Sequence, residues 1–216
     1  MNKTVLIVAA HADDEVLGCG GTIARHVSEG DTVHAVFLAD GVSARQGSDD
    51  SELKRRLGAA EQARKILGIS TSTFMGFPDN RLDSLPLIEI VQPLERLIQN
   101  IKPQVIYTHH YGDLNVDHRV SHQAVMTACR PLPEGSVKEI YSFEVVSSTE
   151  WNSPGLQPFL PNMFVDVSEF LKSKNRALEA YAVEMRPVPH ARSMENSLQL
   201  SEHRGSSVGF RAAESF

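Results

Sequence analysis

Two short stretches concentrate the side chains able to do chemistry. His11-Ala12-Asp13-Asp14-Glu15 puts one imidazole and three carboxylates directly after an apolar run. Thr108-His109-His110-Tyr111-Gly112-Asp113-Leu114-Asn115-Val116-Asp117-His118 adds three histidines and two aspartates after another such run. Taken alone, Asp13-Asp14-Glu15 reads as a helix cap, because acidic groups complement the dipole at a helix start and bind its free N–H groups. Capping leaves His11 and the second His/Asp-rich stretch unexplained. A divalent metal ion accounts for both. Imidazole nitrogen and carboxylate oxygen are zinc ligands, and a catalytic zinc takes three protein ligands while keeping one position open.

Three other patterns carry less. Gly18-Cys19-Gly20-Gly21 invites a phosphate-loop reading, but Ile23 stands where the third glycine of a dinucleotide fingerprint belongs. The three carboxylates before it would repel a pyrophosphate, so close helix–sheet packing is the expected use of these glycines. Gly205-Ser206-Ser207-Val208-Gly209 matches G-x-S-x-G formally, yet no histidine follows it to complete a triad. Cys19 is expected to pack as a small apolar residue rather than to act as a nucleophile.

The elements that must position these residues follow from periodicity. Thr4 to Ala10 is a continuous β-branched and apolar run, the pattern of a strand buried on both faces. Strands are also expected over Thr32–Ala39, Thr71–Met75, Gln104–Thr108, Val137–Val146 and Met163–Val167. Helices are expected over Val16–Glu29, Ser51–Leu67, Leu85–Asn100, Asp117–Cys129 and Ser168–Tyr181. This alternation indicates an α/β fold with a doubly wound, mostly parallel sheet. In such a sheet ligands sit beyond the carboxyl ends of the strands, and both reactive stretches leave such ends on one edge. Residues 147–161 hold Trp151, three prolines and a glycine and are expected to form a loop or lid. Residues 182–216 show no clear period and are expected to be irregular, bordering the site or wrapping the sheet.

The chain has 216 residues, enough for one domain spanning 1–216 that buries roughly 70% of its unfolded surface. It is 41% hydrophobic and 22% charged, which excludes disordered, collagen-like and coiled-coil chains. A net charge of -6 gives no general attraction to nucleic acid or anionic lipid. An anionic substrate would therefore need a local arginine. Two cysteines 110 positions apart form no disulfide framework and fit a reducing, cytoplasmic setting. Lys3, the run Val5–Ala10 and Ala10-His11-Ala12 imitate a signal peptide. The run is shorter than a signal core and far short of a membrane span, so a first strand is expected.

The segment His11-Ala12-Asp13-Asp14-Glu15-Val16-Leu17-Gly18-Cys19-Gly20-Gly21-Thr22 resembles the opening motif of the PIG-L/LmbE-like zinc deacetylases, H-P-D-D-E followed by G-x-G-G-T. The likeness continues through Ala39-Asp40-Gly41, Arg56 with Leu67-Gly68, and Gly76-Phe77-Pro78-Asp79-Asn80-Arg81-Leu82, and ends at Asp117-His118-Arg119. It spans about the first 125 residues. The resemblance implies a Rossmann-like fold, one catalytic zinc ion, and hydrolysis of the N-acetyl group of an amino sugar. It makes His11, Asp14 and His118 the metal ligands and Asp13 the general base. Adjacent residues leaving a strand point in different directions, so one aspartate can bind metal while its neighbour faces the attacking water.

Two departures stand out. Ala12 replaces the usual proline, which loosens the turn without removing a ligand. Asn115 stands where the family often has the first histidine of H-P-D-H, a residue that stabilises the oxyanion or protonates the leaving amine. Asn donates a hydrogen bond but supplies no proton, so His110 is the expected substitute, with His109 as the alternative. Asp117 is expected either to orient His118 or to cap the following helix. Arg56 is expected to face the substrate.

The expected activity is cytoplasmic, zinc-dependent N-deacetylation of an N-acetylglucosamine-like unit in a nucleotide sugar, glycolipid or surface-polysaccharide precursor. The competing readings are a metal-dependent amidase on a non-sugar N-acyl compound and a non-catalytic sugar- or metal-binding module. Nucleic acid is not an expected partner, and the sequence leaves a homo-oligomer open.

Overall fold

The computed structural model describes residues 2–44 and 50–216. Five strands, β1 (Thr4–Ala9), β2 (Thr32–Ala39), β3 (Thr71–Phe77), β4 (Val105–His109) and β5 (Glu139–Phe143), form one sheet in the order β3-β2-β1-β4-β5. All four pairings are parallel. Between the strands run α1 (Asp14–Ser28), α2 (Asp50–Leu67), α3 (Leu87–Ile101) and α4 (Val116–Ala128). The sheet is thus doubly wound, as the strand–helix alternation indicates.

Alternation along β1 divides the core. Val5, Ile7 and Ala9 join the layer with α1, α2 and the later helix α5 (Leu171–Ala180), whose Ala177 and Leu178 pack there. Leu6 and Val8 join the layer with Ile90, Val91 and Leu94 of α3 and Ala124 and Val125 of α4. Both faces of the strand are covered, which is why its sequence reads as a continuous apolar run. Strand order reverses between β1 and β4, and at this point the two following loops diverge and open a crevice. His11 to Glu15 follow β1, and His110 to His118 follow β4. The topology therefore brings the two reactive stretches together.

The glycines of α1 serve packing, as expected. A Cβ on Gly18 would lie 2.3 Å from the Phe143 ring, and one on Gly21 would lie 2.7 Å from Val167 Cβ. The helix breaks at Cys19 (φ -147°, ψ 26°), which frees amides beyond the break. Glu214 caps them, its carboxylate accepting from Gly21 N at 2.9 Å and Thr22 N at 2.6 Å. Lys174 Nζ donates to the same carboxylate at 2.7 Å and to Leu17 O at 3.0 Å.

Residues 182–216 correct the expectation of an irregular segment. They contain α6 (Met194–Ser206) and β7 (Ala213–Ser215), which pairs antiparallel with β6 (Phe164–Asp166). The buried positions of α6 are Ser197, Ser201 and Gly205, four residues apart. Its buried face is made of small polar residues and glycine, so no apolar period marks it. Residues 147–161 hold one short 3-10 turn, Thr149–Trp151.

Candidate metal centre

His11 leaves β1, and Asp14 opens α1 three residues later. A turn closes between them, with His11 N donating to Asp14 Oδ2 at 2.8 Å. Across the crevice, His118 on the first turn of α4 places Nε2 3.4 Å from Asp14 Oδ2, while His11 Nδ1 lies 3.3 Å from the same oxygen. One ligand atom from each of His11, Asp14 and His118 falls within 4.8 Å of the others. All three side chains are buried.

The outer nitrogens of both imidazoles face carboxylates, as metal-binding histidines require for orientation and basicity. His118 Nδ1 lies 3.2 Å from Asp113 Oδ1. Asp113 also accepts from Thr149 Oγ1 at 2.6 Å, from Asn115 N at 2.8 Å, and from Ser148 Oγ. His11 Nε2 lies 3.1 Å from both Asp79 Oδ1 and Asp117 Oδ2. Asp117 in turn accepts from Asn80 N at 2.7 Å and Leu82 N at 3.0 Å. With its oxygens committed to amides, Asp117 suits the role of acceptor for His11 better than that of metal ligand. The expectation that Asp117 orients His118 is therefore corrected: Asp113 does so, and Asp117 orients His11.

Electrostatics favour a cation here. Burial opposes charge on His118, yet Asp14 and Asp113 carry its pKa up to about 9. Burial likewise opposes charge on His11, but hydrogen bonds with Asp117, Asp14 and Asp79 hold its pKa well above the usual value. Asp14, despite burial, is held well below the carboxylate range by His118, His109 and His11. Two imidazoles and a carboxylate converging inside a shell of further carboxylates fit a divalent metal ion.

Asp13 faces another way. Its backbone takes φ 134°, a left-handed value that is costly for a residue with a Cβ, of order 1–3 kcal/mol. Glu15 Oε2 accepts from its N–H at 3.0 Å, and Tyr181 O–H donates to Glu15 Oε1 at 2.7 Å. Arg192 Nη1 donates to Asp13 Oδ2 at 2.9 Å, while Oδ1 is buried, accepts no hydrogen bond among the described residues and lies 3.6 Å from Arg56 Nη2. Burial raises the Asp13 pKa above the ordinary carboxylate value, against the pull of Arg192 and Arg56. A carboxylate with one oxygen fixed by a hydrogen bond, the other accepting none, and raised basicity is equipped to take a proton.

The other expected site residues divide between the site and its surroundings. Arg56 is 7% exposed, donating to Gly41 O at 2.9 Å and Ala12 O at 3.2 Å and pairing with Glu184 at 3.1 Å and with Asp13 Oδ1 at 3.6 Å. It ties two strand-end loops together instead of facing open space. Asn115 caps α4, its Oδ1 accepting from Asp117 N at 2.8 Å, with Nδ2 turned to Asn80 Oδ1 at 3.4 Å. His110 is not brought to the His–Asp–His group. Its Nε2 lies 2.9 Å from Gln157 O, and its ring contacts Tyr111 and Phe159. His109 accepts from Ala10 N at 2.8 Å through Nε2, stacks on His118 at 3.9 Å, lies 3.5 Å from Asp14 Oδ2, and has its pKa pushed down by burial. It is a structural spacer between the ends of β1 and β4.

Sequence reasoning missed Arg192, which sits in a stretch without period and offers no local signal. Asp79 and Asp113 lie within two of the motif stretches, where nothing local marks their partners. Asp113 had one signal: a carboxylate in a histidine-rich strand-end loop.

A parallel sheet whose switch point carries a His–Asp–His group beside a basic carboxylate fits a metal-dependent hydrolase. The chain belongs to the PIG-L family, described as GlcNAc-PI de-N-acetylase, whose sequence profile matches residues 6–129. It is an N-deacetylase by class. It is 34% identical over 172 residues to an uncharacterized deacetylase, YaiS, of Escherichia coli, covering 77% of this chain and 83% of that one. A probable N-acetyl-alpha-D-glucosaminyl L-malate deacetylase 2 of Bacillus anthracis is 26% identical, over 83% of this chain and 80% of that one. The crystal structure of the conserved protein TT1542 from Thermus thermophilus superposes with a TM-score of 0.77 at 26% identity, covering 99% of this chain and 93% of that one. Among the described residues, no helix is long and apolar enough to cross a membrane.

Proposed function

We propose that the protein is a zinc-dependent enzyme that removes the acetyl group from an N-acetylglucosamine-like amino sugar in the cytoplasm. The candidate destinations are a nucleotide sugar, a glycolipid or a surface-polysaccharide precursor. The observation that carries this reading is the convergence of His11, Asp14 and His118 within 4.8 Å, beside an Asp13 whose Oδ1 accepts no hydrogen bond among the described residues. The family match and the N-acetylglucosaminyl relative support an amino sugar over other amides.

In this reading His11, Asp14 and His118 hold the ion, which when bound polarises the amide carbonyl and makes water more acidic. Asp13 Oδ1 takes the proton of the attacking water. Arg192 keeps Oδ2 fixed so that Oδ1 alone is presented. Once the tetrahedral carbon forms, the same carboxyl group hands its proton to the departing amine nitrogen. A single carboxylate then suffices as base and acid, which answers the absence of a histidine at position 115. Asn115 contributes by fixing the first turn of α4, and with it His118. His110 contributes by tethering the 157–159 segment, and Arg56 by holding the Ala12 carbonyl beside Asp13.

The test is acetate release from a panel of N-acetylated amino sugars, with and without chelator. Release that chelation abolishes and added zinc restores is expected. Release from non-sugar N-acyl compounds alone would transfer the reading to a general amidase. No release at all, with metal firmly bound, would favour a binding module.

A further inference from the structure

Beyond the metal centre, a cavity of about 620 Å³ opens past the end of β5, between residues 144–151 and α6. That volume is within the range of small-molecule sites, about 300–1,000 Å³. Arg192 connects it to the catalytic aspartate. Its guanidinium holds Asp13 on one side and donates from Nε to Ser147 Oγ at 2.9 Å, and the adjoining Val146, His190 and Ala191 line the cavity.

We propose that this cavity is a subsite for an uncharged, hydroxyl-rich glycosyl unit joined to the sugar that carries the acetamide. The proposal deepens the deacetylase reading and rests on it for the acetamide end alone. Three features of the wall select that chemistry. Trp151 is 49% exposed, braced edge-on by His190 at 5.6 Å. A half-exposed indole held from one side offers an apolar face and a polar edge, the pairing a pyranose ring presents in return. His190 Nδ1 accepts from Arg192 N at 3.0 Å, which leaves Nε2 as an N–H donor, and Asn196 and Gln199 add amide groups.

Charge excludes the anionic alternatives. Among the described residues, no lysine or arginine lines the cavity. Of its two carboxylates, Glu144 is matched by the Arg204 fork at 2.7 Å on both oxygens. Glu150 is held by the backbone amides of Ser147 at 2.6 Å and Ser148 at 3.2 Å. A phosphate or carboxylate in this position would meet two carboxylates, while the nearest guanidiniums are already engaged, Arg204 with Glu144 and Arg192 with Asp13. A neutral sugar meets donors and acceptors it can use.

Trp151 is the single tryptophan of the chain, so its fluorescence reports occupancy without any need for turnover. The full chain carrying Asp13→Asn is titrated with N,N'-diacetylchitobiose, N-acetylglucosamine and N-acetylglucosamine 1-phosphate. The disaccharide is expected to give a saturable change, at least tenfold tighter than either of the others. No change with the disaccharide, or equal affinity for the phosphate, overturns the subsite. In the active enzyme, Trp151→Ala should raise KM for the disaccharide roughly five- to tenfold, the worth of a lost aromatic contact, with kcat unchanged. Trp151→Phe should restore most of it, and KM for the monosaccharide should not move. An unchanged disaccharide KM in Trp151→Ala also overturns the proposal. A saturable fluorescence change without acetate release from any sugar would leave the subsite standing and remove the deacetylase reading. Acetate release from the disaccharide with no fluorescence change would do the opposite.

Discussion

Asp13 and Asp14 are chemically identical and adjacent, yet their surroundings give them opposite work. Asp14 lies among three imidazoles that favour its charged form, while Asp13 is buried and its pKa is raised. Asp13→Ala should keep the metal and lose activity by roughly 10²–10⁴-fold, the usual contribution of a positioned acid–base group. Asp14→Ala should lose metal as well. Metal content by elemental analysis, read beside acetate release, separates the two, and swapped behaviour would reverse the assignment. Asp113 tests the outer layer of the site. It accepts from two hydroxyls and an amide while facing His118 Nδ1, so it fixes that imidazole without touching the ligand position. Asp113→Ala should weaken metal affinity about 10–100-fold. A competitive chelator titration measures it, and an unchanged affinity would show that stacking on His109 alone holds the ring.

At the scale of elements, the broken helix α1 depends on a strand nearly two hundred residues away. The break at Cys19 lets Gly18 and Gly21 approach Phe143 and Val167, and it leaves amides that Glu214 of β7 caps. Lys174 of α5 completes the cluster, with its side chain only 4% exposed. Removing one partner of a buried ion pair leaves an uncompensated charge, which costs about 3–5 kcal/mol. Glu214→Ala should therefore lower the denaturant midpoint by that amount of stability without changing metal stoichiometry in the folded fraction. Lys174→Met in the same background should recover part of the loss, because it removes the stranded charge. A Glu214→Ala variant as stable as the parent would show that water satisfies the freed amides.

For the molecule as a whole, the metal centre joins β1, α1 and α4 across the switch point of the sheet, so an ion held there binds only the folded chain. Ligand binding confined to the native state adds about 2.7 kcal/mol at a hundredfold excess over Kd. For a chain of this length that corresponds to roughly 5–10 °C in Tm. Stripping the metal with chelator should lower Tm by about this amount, and zinc should restore it. An identical Tm in both states, with metal shown to bind, would mean that the unfolded chain holds the ion as tightly as the folded one and that the site is not built by the fold.

Much of this was legible before any coordinates. The continuous apolar run of β1 marked a strand covered on both faces, and the strand–helix alternation marked a doubly wound sheet. His11, Asp14 and His118 were legible as candidate ligands because imidazoles and carboxylates crowded just past strand ends are local in sequence and unusual in type. What sequence could not carry was anything set by side-chain direction or by distant partners. The alternation of types does not say that Asp117 turns to His11 while Asp113 turns to His118, because that depends on how α4 is rotated against β1. Arg192 and Glu214 carry no local pattern at all, since each acts on a group more than 170 residues away and is placed only by the folded tail. The tail itself was opaque because α6 buries serines and a glycine, and a helix that packs through small polar residues leaves no hydrophobic period to read.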